Sequence, residues 1–242
     1  MINGKFVCLE TFCGCGASAY GYALAGFTVW GSDYADFSAQ FNRAGPDQTA
    51  AGRMLYLGTM QWDEALLQYG GKVDLLHGSP PCQHYSGMSN SRPGLSGTYP
   101  DMIAEVRQAF NSTGLPWILE NVVGSPLIDP ITMCAWSMGR DLIQHHWFES
   151  GGGLKLTAPP HLKHTVPASK AGHWRPGTLV SVAGHCSPIE ECRRVMEVSW
   201  STRDALSEAC PPYFTEYLGK QAIEFLETAR RGRNWASAMG RR

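Results

Sequence analysis

Residues 73–86 read VDLLHGSPPCQHYS: an apolar run stops at a glycine, two prolines follow, and a cysteine comes directly after them. The run has the length and composition of a buried strand. Pro80 and Pro81 each fix their own φ and carry no N–H, so the turn that presents Cys82 is stiff and the backbone sets the direction of its thiol. A thiol held this way suits a nucleophile. The competing reading is a buried, inert cysteine near a strand end, and that reading is preferred for Cys13, Cys15, Cys134, Cys186, Cys192 and Cys210.

Outward from this stretch, short β-type runs recur as KFVCLE (5–10), FTVWG (27–31) and PWILENV (116–122). Residues 17–25, 34–43, 62–69 and 99–111 carry helix-like apolar spacing between them. Strand and helix in alternation predict an α/β fold: a Rossmann-like parallel sheet with helices on both faces and ligands beyond the carboxyl ends of the strands. Near Ser150 the periodicity fails, and SGGGLKLTAPPHLKHTVPASKAGHWRPG is rich in Gly, Pro, His and Lys. Residues 151–195 are therefore expected to form a small irregular insertion, with residues 1–150 and 196–242 making the main domain. The basic end, RRGRNWASAMGRR, is expected to fray.

Composition narrows the function classes. The chain has 242 residues, 43% apolar, which is enough for one sizeable core. Charged residues make up 17% with a formal net charge of −1, so any nucleic-acid contact must come from a local patch. Eight cysteines are too few for a disulfide scaffold, and neither a leader-like segment nor a bilayer-length apolar run is present. A soluble, cytoplasmic protein without membrane partners is expected.

Two further loops follow strands. In LETFCGCGASAYG (9–21), Gly14, Gly16 and Ala19 have the spacing G-x-G-x-x-A, and Asp33 ends the next strand, which suits a ribose hydroxyl. That pattern fits NAD as well as S-adenosylmethionine. In WILENVVGSP, an apolar strand ends on Glu120 and Asn121, and a carboxylate so placed is expected to have a raised pKa; a surface glutamate capping the following turn is the alternative.

Together these loops resemble the cytosine-5 DNA methyltransferase family: FCGCG for the cofactor loop, GSPPCQHYS for the nucleophile loop and ENV for the acidic loop, in that order, with ACPPYFTEYLG near the C-terminus similar to its closing segment. The resemblance covers roughly residues 5–150 and 196–226. It implies methyl transfer from S-adenosyl-L-methionine to carbon 5 of cytosine in double-stranded DNA, at a short site, by a monomer of the phage or bacterial restriction-modification type. Cys82 would add to carbon 6, and Glu120 would hydrogen-bond ring nitrogen 3 and the exocyclic amine. The cofactor would lie on Phe12, Gly14, Cys15 and Gly16, with Asp33 on its ribose, Tyr34 against its adenine, Met60 beside it and Pro80 as a wall toward the base. The base must be flipped out of the duplex, and the loop from Gln83 to Gly97, with Ser86 and Arg92, would close over it.

The chain also departs from the family. Where an arginine pair is usual it has Gln144 and His146, of which His146 would take over contact with the cytosine carbonyl. A packed histidine is the alternative. Thr59 and Met60 stand where an acidic residue is usual, and Glu208 where an asparagine is common. The insertion is short for a recognition region, since even a single DNA-reading module buries roughly 600–1,000 Å². Lys155, Lys163, Lys170 and Arg175 could meet phosphates, while His161, His164, His173 and Trp174 could touch bases or pack. A zinc reading through His161, His164, His185 and Cys186 lacks a C-x-x-C pair, so no metal site is expected. Three other readings remain: a catalytically impaired cofactor- or DNA-binding relative, transfer to another acceptor such as RNA or a free nucleotide, and an NAD-dependent oxidoreductase, which gives Cys82 no role beside Glu120.

Overall fold

A computed structural model describes residues 4–85, 100–170, 172–182 and 186–239, with the backbone alone described from residue 233 onward. Its centre is a seven-stranded sheet: β1 (Val7–Glu10), β2 (Thr28–Asp33), β3 (Met54–Thr59), β4 (Leu75–Gly78), β5 (Trp117–Val122), β6 (Ile131–Cys134) and β7 (His145–Gly151). The spatial order is β3-β2-β1-β4-β5-β7-β6. The first five strands are parallel, as the alternation of elements predicts, and β7 runs antiparallel between β5 and β6.

Successive residues of a strand face opposite sides, and here both sides are covered. Cys8, Val29, Leu75 and Ile118 face one core, shared with helix α1 (Ala17–Ala25) and the long C-terminal helix Pro212–Met239. Their neighbours Leu9, Leu76 and Leu119 face the other, with Trp62 of the helix Trp62–Tyr69 and Ile103, Val106 and Phe110 of the helix Ile103–Thr113. Each fully buried side chain of this kind contributes roughly 1.5–3 kcal/mol. Helix α1 approaches the C-terminal helix backbone to backbone: a Cβ on Gly21 would lie 2.1 Å from the carbonyl oxygen of Pro212.

Three expectations change. The helix expected over 34–43 is confined to Ser38–Phe41, because the backbone N–H groups of Ala35 and Phe37 are bound by the Asp33 carboxylate and the Tyr56 hydroxyl. The strand β7 hides in HHWFESG, whose alternation of His146 and Phe148 with His145 and Trp147 lacks an apolar run. The basic tail continues the C-terminal helix to Met239 rather than fraying at its start.

Between Gly152 and Pro188 the described residues form neither helix nor strand, only isolated bridges such as Leu142 with Val180. The segment is not detached, since Leu154, Leu156, Val180 and Val182 join the core that contains α1. Among the described residues no helix is long and apolar enough to cross a membrane.

Candidate active site

The three loops singled out in the sequence leave the carboxyl ends of β1, β4 and β5, which are neighbours in the sheet. Topology alone therefore brings them to one edge.

The β1 loop curls into the start of α1. Gly16 caps the helix at φ +81°, and a Cβ there would lie 2.9 Å from the Phe41 ring, so this position requires glycine twice over. Gly14, at φ +47°, faces open space: a Cβ on it would meet nothing within 4 Å. Asp33 fixes the curl, with Oδ2 accepting from Gly14 N at 2.9 Å and Oδ1 from Ala35 N at 3.1 Å. Burial lifts the Asp33 carboxyl above its ordinary range, against backbone hydrogen bonds from Gly14, Ala35 and Tyr34 that lower it. Cys15 is buried, its carbonyl accepting from the Trp200 indole N–H at 2.9 Å, and burial pushes its thiol up. Phe12 stacks on Trp62 with ring centroids 6.5 Å apart. Tyr34 stands 66% exposed beside the cradle, and Met60 donates its N–H to the Asp33 carbonyl at 2.9 Å.

The β4 loop is pinned from both sides. Buried Pro80 offers its carbonyl to Asn121 Nδ2 at 2.9 Å, which ties the nucleophile loop to the acidic loop. Gln83 donates from Nε2 to Glu208 Oε1 at 3.0 Å, so this side chain, expected on DNA, holds the loop to the C-terminal segment. Between them sits Cys82, half-buried while every other cysteine is buried. Burial, then the charges of Glu120 and Glu208, push its thiol up to about 12. It is therefore a thiol at neutral pH. Its alkylation by iodoacetamide is expected to accelerate about tenfold per pH unit from about pH 7 to about pH 10 with no plateau, since the thiolate is the nucleophile. A plateau near neutrality, read from the rate of mass increase, would contradict this.

The acidic loop corrects the sequence reading. Glu120 is buried, but its carboxyl is held below the ordinary range: burial raises it, and the adjacent His146 more than offsets that. His146 Nδ1 lies 2.5 Å from Glu120 Oε1, and its Nε2 lies 2.7 Å from Gln144 Nε2. Both ring nitrogens are thus engaged within the protein. His146 holds Glu120, and Gln144 in turn holds His146. The ring also packs edge-on against Phe214 at 5.6 Å. Asn121 has both amide atoms occupied, Oδ1 by Val122 N and Nδ2 by Pro80, a bridging role that sequence reasoning did not assign.

Of the remaining expectations, Ser86, Arg92 and His185 lie outside the described residues. Trp174 packs against the core and donates to the Thr178 carbonyl at 3.1 Å. Lys170, His173 and Arg175 share a surface depression of about 470 Å³ in the insertion. His161 and His164 gather with Cys134 and His145, with one ligand atom of each within 4.8 Å of the others.

No protein-family model and no curated protein matches the chain. Among solved structures it is similar to a protein described as a DNA modification methyltransferase encoded within an Escherichia coli prophage. That match has a TM-score of 0.55 and 14% identity, over 92% of this chain and all of the other. A further match, a SAM-dependent methyltransferase from Neisseria gonorrhoeae, has a TM-score of 0.36 and 14% identity, over 65% of this chain and 67% of its own. The first likeness shows that the two chains share an α/β fold; the second carries no argument.

Proposed function

We propose that the chain transfers a methyl group from S-adenosyl-L-methionine to carbon 5 of a flipped cytosine in double-stranded DNA, through a covalent adduct at Cys82. The observation that carries this reading is the convergence of the glycine cradle, Cys82 and Glu120 at the ends of adjacent strands β1, β4 and β5. The prophage protein of the same fold, described as a DNA modification methyltransferase, supports DNA as the acceptor.

The open face at Gly14, the exposed ring of Tyr34 and the carboxylate of Asp33 beside them fit an adenosyl group. When bound, S-adenosylmethionine supplies an electrophilic methyl group. Carbon 5 of cytosine is a poor nucleophile until sulfur adds across the ring. The Cys82 sulfur would give an electron pair to carbon 6 as its proton passes to water, leaving carbon 5 electron-rich enough to take the methyl group that the bound cofactor would supply. Transfer of the carbon 5 proton to water would then expel the thiolate and restore the ring. Glu120 accepts from the exocyclic amine, and the proton it shares with His146 is available to ring nitrogen 3 as the sulfur adds. Asn121 holds the Pro80 carbonyl and so fixes Cys82 relative to Glu120.

The insertion supplies Lys170 and Arg175 on one depression as phosphate contacts, and its length supports a target of about two to four base pairs. Mass spectrometry of nucleosides from mixed-sequence duplex DNA, incubated with S-adenosylmethionine and the protein, tests the proposal. The expected product is 5-methylcytosine. Methylation of an exocyclic amine, or modification of RNA or deoxycytidine monophosphate in preference to duplex DNA, would overturn it.

A further inference from the structure

The sequence offers no metal pattern of ordinary spacing, yet the fold gathers four metal-ligating side chains at one place. Cys134 ends β6 and His145 begins β7, and the two are direct partners across the antiparallel pair. Cross-strand partners have their Cβ atoms about 4.5–5.5 Å apart on one face of the sheet. His161 and His164 come from the start of the insertion, in the stretch HLKH. Their backbone is fastened over the two strands by contacts independent of the imidazoles: Leu162 N donates to Ser137 Oγ at 2.9 Å and Trp136 Nε1 to the Lys163 carbonyl at 3.2 Å.

We propose that Cys134, His145, His161 and His164 form a four-ligand zinc site that clamps the insertion to the β6–β7 pair. One ligand atom from each residue lies within 4.8 Å of all the others. In a tetrahedron with Zn–N of about 2.0–2.1 Å and Zn–S of about 2.3 Å, ligand atoms are separated by about 3.3–3.7 Å. His145 Nε2 and His161 Nε2 are 3.0 Å apart, and Cys134 Sγ and His164 Nε2 3.3 Å, close to those separations. The three imidazole rings stand 5.1–5.2 Å apart by centroid, with lone-pair nitrogens converging rather than turned to separate partners.

Cys134 is buried while His161 is exposed, which gives the ion a way in and the thiolate a dry seat. Four protein ligands leave no open position for a substrate or water, so the site is structural. Its place in the fold sets what it stabilises: His145 precedes His146, the partner of Glu120, on the same strand, and alternate residues of a strand face opposite sides. The ion would therefore hold the strand that carries the Glu120 partner, and hold the insertion's first turn against it. This inference does not depend on the methyl-transfer reading.

The test is metal analysis of the full chain made without an affinity tag, by inductively coupled plasma mass spectrometry after gel filtration. We expect about one zinc per chain in the wild type, a several-fold fall in Cys134→Ser and His161→Ala, and no change in His173→Ala. His161 is exposed, so its truncation leaves the fold intact, which circular dichroism checks. Reloading with Co²⁺ is expected to give thiolate-to-metal absorption that Cys134→Ser loses. Folded wild type that carries no zinc and takes up no Co²⁺, zinc retained in full by both variants, or stoichiometric copper or nickel in place of zinc would each overturn the assignment.

Discussion

Cys82→Ala is expected to abolish methyl transfer to duplex DNA, a loss of at least about 10⁴-fold, while leaving S-adenosylmethionine affinity within about threefold of wild type. The nucleophile is the one group without which carbon 5 cannot be activated, so its removal leaves nothing for the remaining residues to assist. Cofactor binding is spared because Cys82 belongs to the β4 loop, whose shape comes from Pro80, Asn121 and the Gln83–Glu208 bond rather than from the thiol. Cys82 is also half-buried on a loop, so its truncation leaves no cavity in either core. The two readouts are nucleoside mass spectrometry and calorimetric titration of the cofactor. A variant that still methylates at a tenth of the wild-type rate would exclude Cys82 as nucleophile.

Glu120→Gln has the second-largest expected effect, and it moves two quantities in opposite directions. Methyl transfer is expected to fall by about 10²–10⁴-fold, the usual worth of a positioned acid–base group, because an amide cannot pass a proton to ring nitrogen 3. Iodoacetamide alkylation of Cys82 is expected to become faster. The Glu120 charge is one of the causes that push the Cys82 thiol up to about 12, second only to burial, so removing it makes the thiolate easier to form. Loss of fold would also expose the thiol, so the faster alkylation reports the lost charge only in a Glu120→Gln variant whose circular dichroism matches wild type and whose buried cysteines stay unmodified. Equal or slower alkylation in Glu120→Gln would contradict the closeness of the two groups on which the site rests.

The parallel part of the fold was legible in the sequence because its strands are buried on both faces and so read as apolar runs: LLHG and WILENV. The antiparallel strand β7 was not, since it carries two histidines, a tryptophan and a glutamate in seven residues. Two of those polar groups are satisfied by a partner far along the chain: His146 by Glu120, and Glu149 by Arg107 at 2.7 Å. Such pairing is invisible to local periodicity. The loops that carry Gly14 and Cys82, and Glu120 near the end of β5, are legible because glycine, proline and a carboxylate closing an apolar run leave local marks.

What the sequence misassigned depends on tertiary contact. The apolar strand around Glu120 argued for a raised carboxyl pKa, and only the fold reveals that His146 stands close enough to reverse the sign. The proposed metal cluster follows the same logic. The sequence groups His161 and His164 with His185 and Cys186, whereas the fold brings them to Cys134 and His145, which belong to two strands of the sheet and have no spacing motif of their own.

The most direct test of the account is trapping on duplex DNA in which cytosine is replaced by 5-fluorocytosine. Fluorine at carbon 5 cannot leave as the proton does, so a thioether formed at carbon 6 persists after methyl transfer. The account predicts a covalent protein–DNA complex that forms only with S-adenosylmethionine present and maps, after proteolysis, to the peptide containing Cys82. Methylation of ordinary DNA without any such complex, or a cross-link at a different residue, would contradict it.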